Sequence, residues 1–410
     1  MNKNTIISFS DITRFMFKDK EVIIGNRLNG TWMKIPLQCY EILDQCTNDK
    51  MTVGRLDQIL HDDDDREYMN TLLSALDNMS LISTDLTKRE VDNISLAITH
   101  RCNLKCIHCM VDATYSSSNK EIFDTETICS FLQKIIEVDP KCIVITGGEP
   151  MLRKDLLEIL YYLKKHYTGK ITLMTNGTLF TKNNIDQIIK LVSAIDISLD
   201  GADEKSCSVI RGSGVFTTVV ENIKLLREKG FEDISLSMVL SANNINYVDK
   251  FFQLNKELQT HPMLRALSYE GRADRNKDIL LENYSNEMLR EEPKQSKTVE
   301  PRVCTCTAGY NQLTIESNGD IFPCNLFVQD SFKLGNIYEI DNLQSMFNNE
   351  RGEFLSQCVQ KYEPGRFSKC KDCNINYLCW DCIYPMLALT DEEFKERCDF
   401  KYQALSNVWE

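Results

Sequence analysis

The chain has 410 residues, enough for two or three domains, and its 42% hydrophobic and 26% charged residues are the balance of an ordinary soluble protein. A net charge of −13 argues against a nucleic-acid partner, and no run approaches the ~18 consecutive apolar residues that a membrane span requires. Seventeen cysteines, with no export signal in the first residues, point away from disulfides and toward metal or iron–sulfur ligation, so a cytoplasmic protein is expected.

Residues 1–93 are expected to form a small separate domain. Val22–Gly25 and Thr31–Ile35 are strand-like runs joined by the turn-rich link Asn26–Gly30. Pro36 opens a helix with Cys39, Leu43 and Cys46 on one face. A second short helix covers Thr52–Leu60. A third covers Asp65–Asn78, where Met69, Leu72, Leu73 and Leu76 recur at helical spacing. Leu81–Ser83 returns as a strand. This order is a winged-helix pattern. Such a domain binds DNA through a recognition helix or a peptide along an exposed strand edge. Here 11 Lys and Arg face 16 Asp and Glu, and Asp62–Asp65 leads into the third helix, a poor surface for phosphates. The segment resembles the recognition element of enzymes that modify ribosomally made peptides. That resemblance implies a precursor-peptide partner whose leader joins the sheet as an extra strand. A purely structural cap is the competing reading.

Past a short strand at Ile94–Ile98 stands Thr99-His-Arg-Cys-Asn-Leu-Lys-Cys-Ile-His-Cys-Met110. Cys102, Cys106 and Cys109 have the spacing C-x-x-x-C-x-x-C. Three thiolates on one loop can hold three irons of a four-iron cluster and leave the fourth without a protein ligand. A three-cysteine zinc loop is the bland alternative, although zinc sites usually complete four ligands in compact pairs. The motif resembles that of the radical S-adenosylmethionine (SAM) enzymes. In that family the open iron chelates SAM, and the reduced cluster cleaves it to methionine and a 5′-deoxyadenosyl radical. The residue before the third cysteine is often aromatic in the family. Here it is His108, whose backbone is expected at the adenine.

Strand-like and helix-like runs then alternate. The strands are Ile94–Ile98, Ile143–Thr146, Ile171–Met174, Ile195–Leu199, Ile234–Leu240 and Leu264–Tyr269. The helices are Thr125–Val138, Asp155–His166, Asn184–Ser193, Thr217–Lys229 and Tyr247–Leu258. Six such units predict a parallel sheet with covering helices. The expected fold is α/β: a partial (β/α)6 TIM-like barrel with an N-terminal winged-helix domain and a C-terminal Cys-rich iron–sulfur domain. Barrel active sites lie at strand C-termini, and the polar motifs fall there. Gly147, Gly148, Glu149 and Pro150 follow the second strand, and Thr175 and Asn176 end the third. Ser198 and Asp200 end the fourth, and Arg211 comes next. Adjacent glycines admit a ligand close to the backbone, and an Arg fork suits a carboxylate. By resemblance, Gly147–Pro150 meets the SAM amino group and Arg211 its carboxylate. Ser198 and Asp200 offer a hydroxyl and a carboxylate for a ribose or amino-acid moiety. The strand end Val239–Asn244 is expected near the adenine edge. The core is expected over 94–284, and 285–302, with Pro293 and Pro301, as a linker.

In 303–410 the cysteine density rises: Cys304, Cys306, Cys324, Cys370, Cys373, Cys379, Cys382 and Cys398. Asn318–Cys324 reads as a hairpin presenting a thiol. The pattern resembles the SPASM domain, which holds two auxiliary four-iron clusters, except that Cys382 comes one residue early. By resemblance, one cluster uses Cys306, Cys324 and Cys382, with Cys304 a fourth ligand or a bystander. The other uses Cys370, Cys373, Cys379 and Cys398. A pair of zinc sites is the alternative, since C-x-x-C pairs also bind zinc.

The cofactors implied are three four-iron clusters and SAM, with a flavodoxin or ferredoxin as electron donor. The family resemblance points to a maturase that closes sactipeptide- or ranthipeptide-type thioethers between a cysteine sulfur and a carbon of the same peptide. Carbon–carbon crosslinking, oxidation of a sulfatase cysteine, and a non-catalytic redox sensor remain as alternatives.

Overall fold

The computed structural model describes residues 2–82, 90–114, 120–281, 301–347, 358–380, 382–387 and 389–410. Most of the expected linker, 285–300, therefore lies outside the described residues. The described residues fall into two compact units, one drawn from 1–89, 297–307 and 359–410, the other from 90–296 and 308–358.

The first unit opens with an antiparallel meander, β1 (Thr13–Lys18), β2 (Glu21–Asn26) and β3 (Trp32–Pro36), in that spatial order. The register sets Phe15 opposite Ile24 and Ile24 opposite Met33. β1 is absent from the sequence-based expectation. Only Thr13 and Met16 of its six residues are buried, so it lacks the alternation that marks a strand. Three helices follow: α1 (Leu37–Asn48), α2 (Val53–Ile59) and α3 (Asp63–Asn78). Helix α3 begins two residues earlier than expected. Asp62 caps it and Asp63, Asp64 and Asp65 fill its first turn, where carboxylates meet the positive end of the helix dipole. The acidic run is thus a helix start. Met69, Leu72, Leu73 and Leu76 pack on Val22, Ile24, Ile35 and Leu43, as the spacing predicts. The expected strand after α3 reduces to a bridge between Ile82 and Phe9, and Ser83 lies outside the described residues. Later in this unit, Trp380 is buried against Phe367 and Phe394, and a helix spans Asp391–Leu405.

The second unit holds six consecutive parallel strands: β4 (Asn93–Ala97), β5 (Cys142–Thr146), β6 (Lys170–Thr175), β7 (Ala194–Ser198), β8 (Ile234–Val239) and β9 (His261–Arg265). Between them run α4 (Thr125–Val138), α5 (Leu156–His166), α6 (Ile185–Leu191), α7 (Glu204–Arg211), α8 (Val215–Glu228) and α9 (Val248–Leu258). Ile94, Leu96, Ile143, Ile145, Ile195 and Ile197 face these helices in one continuous core. This parallel-rich sheet is open, as a partial barrel requires. On the far side of β4, β10 (Gln312–Ile315) adds in parallel. Then β11 (Asp320–Phe322) and β12 (Gly335–Asn336) pair antiparallel, completing nine strands. The hairpin expected over 318–324 is β10–β11, turning at Gly319 with φ +87°.

Two expectations need correction. The sixth parallel strand is His261–Arg265, not Leu264–Tyr269. It is the outer strand, mostly exposed and carrying Pro262, so no apolar run marks it. Helix α7 was not expected at all. Asp203 and Ser206 form a reciprocal capping box that starts it. Among the described residues no helix is long and apolar enough to cross a membrane.

Phe131 of α4 is 1% exposed and Tyr161 of α5 is 61% exposed. Phe131→Ala should cost ~3–5 kcal/mol, and Tyr161→Ala should stay within about 0.5 kcal/mol. Urea midpoints of the two purified variants check this.

Candidate functional site

The three-cysteine loop leaves the C-terminal end of β4, as barrel logic requires. Cys102 and Cys106 are buried and Cys109 is half-buried. Backbone hydrogen bonds, more than side chains, hold the loop in place. Gly148 N donates to Thr99 O at 2.8 Å, and Glu149 N donates to Arg101 O at 2.7 Å. A Cβ on Gly147 would stand 2.4 Å from Thr99 O, and one on Gly148 would stand 2.3 Å from Arg101 O. The adjacent glycines therefore serve contact between two protein loops, in addition to any ligand. From the other side, Arg272 N donates to Cys109 O at 2.9 Å and Arg272 Nε to Cys106 O at 2.9 Å. Gly271 approaches Met110 O so closely that a Cβ would lie 2.3 Å away, and its φ is +60°. Sequence reasoning missed Gly271 and Arg272. The available signal was a Gly-Arg pair shortly after the last strand.

Glu149 is fully buried. Its carboxylate accepts Asn176 N at 2.7 Å, Thr175 Oγ1 at 2.7 Å and Met151 N at 3.0 Å. Burial pushes this carboxyl up, against the pull of those hydrogen bonds. Pro150 opens a short 3-10 turn that Glu149 caps. Asn176 Nδ2 reaches Asn103 Oδ1 at 2.8 Å and lies 3.9 Å from Cys102 Sγ. Thr175, Asn176 and the Gly147–Pro150 motif thus converge on the first cysteine.

A second group converges on Asp200, also fully buried. Its Oδ2 lies 2.6 Å from both His108 Nε2 and Arg211 Nε, and its Oδ1 accepts Val239 N at 2.6 Å. Burial alone would push the Asp200 carboxyl up. The Arg211 and His108 partners prevail and hold it well below the usual carboxylate range. Arg211 Nη1 lies 3.8 Å from Cys106 Sγ. Asn244 Nδ2 donates to Val239 O at 2.9 Å, which locks the end of β8. Both carboxylate oxygens are thus engaged within the protein, so Asp200 acts here by fixing His108 and Arg211. Ser198, the last residue of β7, is half-buried.

Three thiols on one loop are a donor set that a four-iron cluster takes. Burial pushes Cys102 up to about 11, and Cys106 is raised for the same reason, each reinforced by its neighbouring thiols. Thiols this reluctant to ionise become thiolates when metal charge replaces the proton. In the first unit, burial likewise pushes Cys304 up, with Cys306 and Cys382 adding to it. Cys370 rises to about 12 through burial, then through Cys379, Cys398 and Cys373, and Cys379 to about 11. These influences bring together Cys304, Cys306 and Cys382, and separately Cys370, Cys373, Cys379 and Cys398. Cys324 directly follows Pro323 at the end of the β10–β11 hairpin. Among the described residues no three Cys, His, Asp or Glu side chains close around a single metal ion. A four-iron cluster is itself a cube, and its ligands stand farther apart than those of one ion.

Thiols, buried carboxylates, a guanidinium and amides thus gather above the strand ends of an α/β parallel sheet. Residues 96–254 match the Radical SAM superfamily, and residues 304–374 match SPASM, an iron–sulfur cluster-binding domain. The chain belongs to the radical SAM superfamily and is a radical SAM enzyme with a SPASM segment. It is 29% identical over 337 residues to the antilisterial bacteriocin subtilosin biosynthesis protein AlbA of Bacillus subtilis, covering 76% of this chain and 71% of that protein. It is 25% identical over 301 residues to the mycofactocin maturase MftC of Mycolicibacterium smegmatis, covering 67% and 74%. The structure of Streptococcus suis SuiB bound to precursor peptide SuiA superposes with a TM-score of 0.55 at 16% identity, covering 95% of this chain and 98% of that one. That likeness is one of fold.

Changing Cys102, Cys106 and Cys109 together to Ala should lower the iron content by about four per chain. The same variant should abolish 5′-deoxyadenosine formation from SAM under strong reductant, as read by chromatography.

Proposed function

We propose that this enzyme modifies a ribosomally synthesised peptide and closes thioether crosslinks between cysteine sulfur and a carbon of the same peptide. The observation that carries the reading is the coexistence of two thiol groups in one chain. One lies on the Cys102 loop at the sheet, and the other comprises the auxiliary cysteines headed by Cys304 and Cys306. The likeness to an antilisterial bacteriocin subtilosin biosynthesis protein and to a mycofactocin maturase supports a peptide substrate. When bound, the cluster on Cys102, Cys106 and Cys109, together with SAM, supplies the radical that removes hydrogen from an unreactive carbon.

The chain's own residues bind and orient. Gly147, Gly148 and Glu149 present a backbone turn for the SAM amino group, while the buried Glu149 carboxylate fixes Thr175 and Asn176 beside it. Arg211 holds a fixed cation beside Cys106 for its carboxylate, and Asp200 keeps that cation in place. His108 is fixed by the same carboxylate, and Thr175, Asn176 and Ser198 line the adjacent strand ends. The SPASM cysteines would hold two auxiliary clusters, through Cys306, Cys324 and Cys382 beside Cys304, and through Cys370, Cys373, Cys379 and Cys398. Full loading would bring about twelve irons per chain by this ligand count. A flavodoxin or ferredoxin would deliver the electron.

The first ninety residues suit leader recognition in the manner of a winged-helix domain. β1 and β3 are the two outer strands of a three-stranded sheet, and an added strand would pair through backbone groups. The acidic start of α3 leaves DNA without a favourable surface there.

Incubation with SAM, reductant and the candidate precursor peptide tests the reaction. Each thioether removes two hydrogens and one alkylatable thiol from the product. Loss of mass with every thiol still alkylatable would instead establish carbon–carbon crosslinking. A product with neither change, and no 5′-deoxyadenosine, would favour a sensor.

Leader recognition is tested on the full chain with leader–core and leader-free peptides. The leader-free core should lose at least ~10-fold in kcat/KM, about 1.4 kcal/mol. Equal processing of both peptides would assign the domain another role.

A further inference from the structure

The buried charges of the first unit are not used by the reading above. Glu363, 4% exposed, pairs with two guanidinium groups. Arg14, on β1, grips it with both arms, Nε to Oε2 at 2.9 Å and Nη2 to Oε1 at 3.1 Å. Arg27, just past β2 and 3% exposed, reaches Oε1 through Nη1 at 2.7 Å. Its second arm donates from Nη2 to the Cys306 carbonyl at 2.6 Å. The same enclosure is lined by Cys304, Cys306 and Tyr377. Tyr377 O in turn accepts Cys304 N at 2.7 Å.

The placement of Arg27 is built, not incidental. Asn26 Oδ1 accepts Leu28 N at 2.8 Å, which folds the β2–β3 link into a turn. Val303 N donates to Gly30 O at 3.0 Å, laying the cysteine segment along that turn. A Cβ on Gly25 would stand 2.2 Å from Val303 Cγ2, so the Val303 side chain packs directly on the β2 backbone. Arg27 is therefore fixed at both ends, by its turn and by Glu363. Arg14, Arg27 and Glu363 together carry one positive charge behind the Cys304–Cys306 segment, with the exposed Asp11 carboxylate also acting on Arg14. Buried charges of this kind act through a low effective dielectric and are weakly screened by salt.

We propose that Arg27, held by Glu363, is a positioning residue for Cys306 and raises the reduction potential of the cluster this segment holds. The proposal rests on the reading that Cys306 ligates an auxiliary cluster. An added electron makes a cluster more negative, so a fixed cation nearby stabilises the reduced form and an anion destabilises it. The two residues thus carry opposite signs: removing the Arg27 charge lowers the potential, and removing the Glu363 charge raises it. A purely structural pair would show no such opposition, because either change breaks the same contact.

The test uses the full chain, reconstituted with iron and sulfide, in the Cys102→Ala, Cys106→Ala, Cys109→Ala background to silence the SAM cluster. Potentiometric titration followed by electron paramagnetic resonance reads the remaining clusters. The relevant signal is the one lost in Cys306→Ala, and the other auxiliary signal serves as an internal reference. Arg27→Gln should shift the midpoint down and Glu363→Gln should shift it up, with the reference unmoved. Arg27→Lys keeps the charge and should recover most of the parent potential. Arg14→Gln, one contact farther from Cys306, should give a smaller downward shift and reports if Arg27→Gln does not load. Shifts of one sign for both charge-removing variants, or no shift, overturn the proposal. So does loss of this cluster from all four variants, which would make the trio a structural clasp only. Absence of any Cys306-dependent signal in the parent protein would instead refute the auxiliary-cluster reading itself.

Discussion

The site depends on one constraint: a loop with two buried thiols and a half-buried one must be held open by contacts that leave the sulfurs for iron. The chain meets it with backbone. Gly148 and Glu149 donate to the loop from one side, and Arg272 and Asn276 hold its carbonyls from the other, the last by Asn276 Nδ2 to Ile107 O at 3.0 Å. Each uses an amide or a guanidinium, and none spends a cysteine sulfur on a strong hydrogen bond. Leu104 N donates to Cys102 Sγ at 3.4 Å, and Arg211 Nη1 and Asn176 Nδ2 approach sulfur at 3.8 and 3.9 Å. Such long contacts can stabilise a thiolate without competing for its metal-binding lone pairs.

The same constraint explains why three glycines stand where they do. Gly147, Gly148 and Gly271 each face a carbonyl of the cysteine loop at a distance no Cβ could share. From sequence, the Gly-Gly pair reads as room for a ligand. The structure gives it a prior task, which is bringing β5's loop onto β4's. Asp200 shows a similar shift of role. Its carboxylate looks available for a ribose, yet His108, Arg211 and Val239 occupy both oxygens. A buried carboxylate with one cation and no other partner would be costly. Three partners make it a fixed reference point from which the Arg211 cation is aimed.

What was legible in the chain followed from strong periodicity and from spacing. α4 ends where its apolar repeat ends, at Val138, and β5 to β8 carry apolar residues on the helix-facing side. What escaped had no such signal. β9 is an exposed outer strand with a proline, β1 buries two of six residues, and α7 is polar on most of its surface. The capping box of Asp203 and Ser206 is readable in the sequence but lies between two glycine-containing segments, Ser198–Gly201 and Arg211–Gly214. Tertiary roles were harder still. Nothing in the sequence around Glu363 distinguishes it from a solvated acid in a charged loop. Its partners are 349 positions away at Arg14 and farther along the meander at Arg27.

That long separation bears on how the N-terminal segment is to be understood. A recognition domain attached only by a linker could be removed without consequence for the chemistry. Here β2 and its turn share a unit with residues 297–307 and 359–410. Removing residues 1–93 would strip both guanidinium partners from a carboxylate that is nearly inaccessible to water. An unpaired buried charge of that kind costs on the order of 3–5 kcal/mol. The unit would respond by opening or by protonating Glu363, and either response reaches Tyr377 and Cys304 through the hydrogen bond that joins them. A truncated protein that lost activity would therefore reveal little about peptide binding. The peptide itself has to be varied while the chain is kept whole. The segment proposed to read a substrate also supplies Arg14 and Arg27 to the enclosure that Cys304 and Cys306 line.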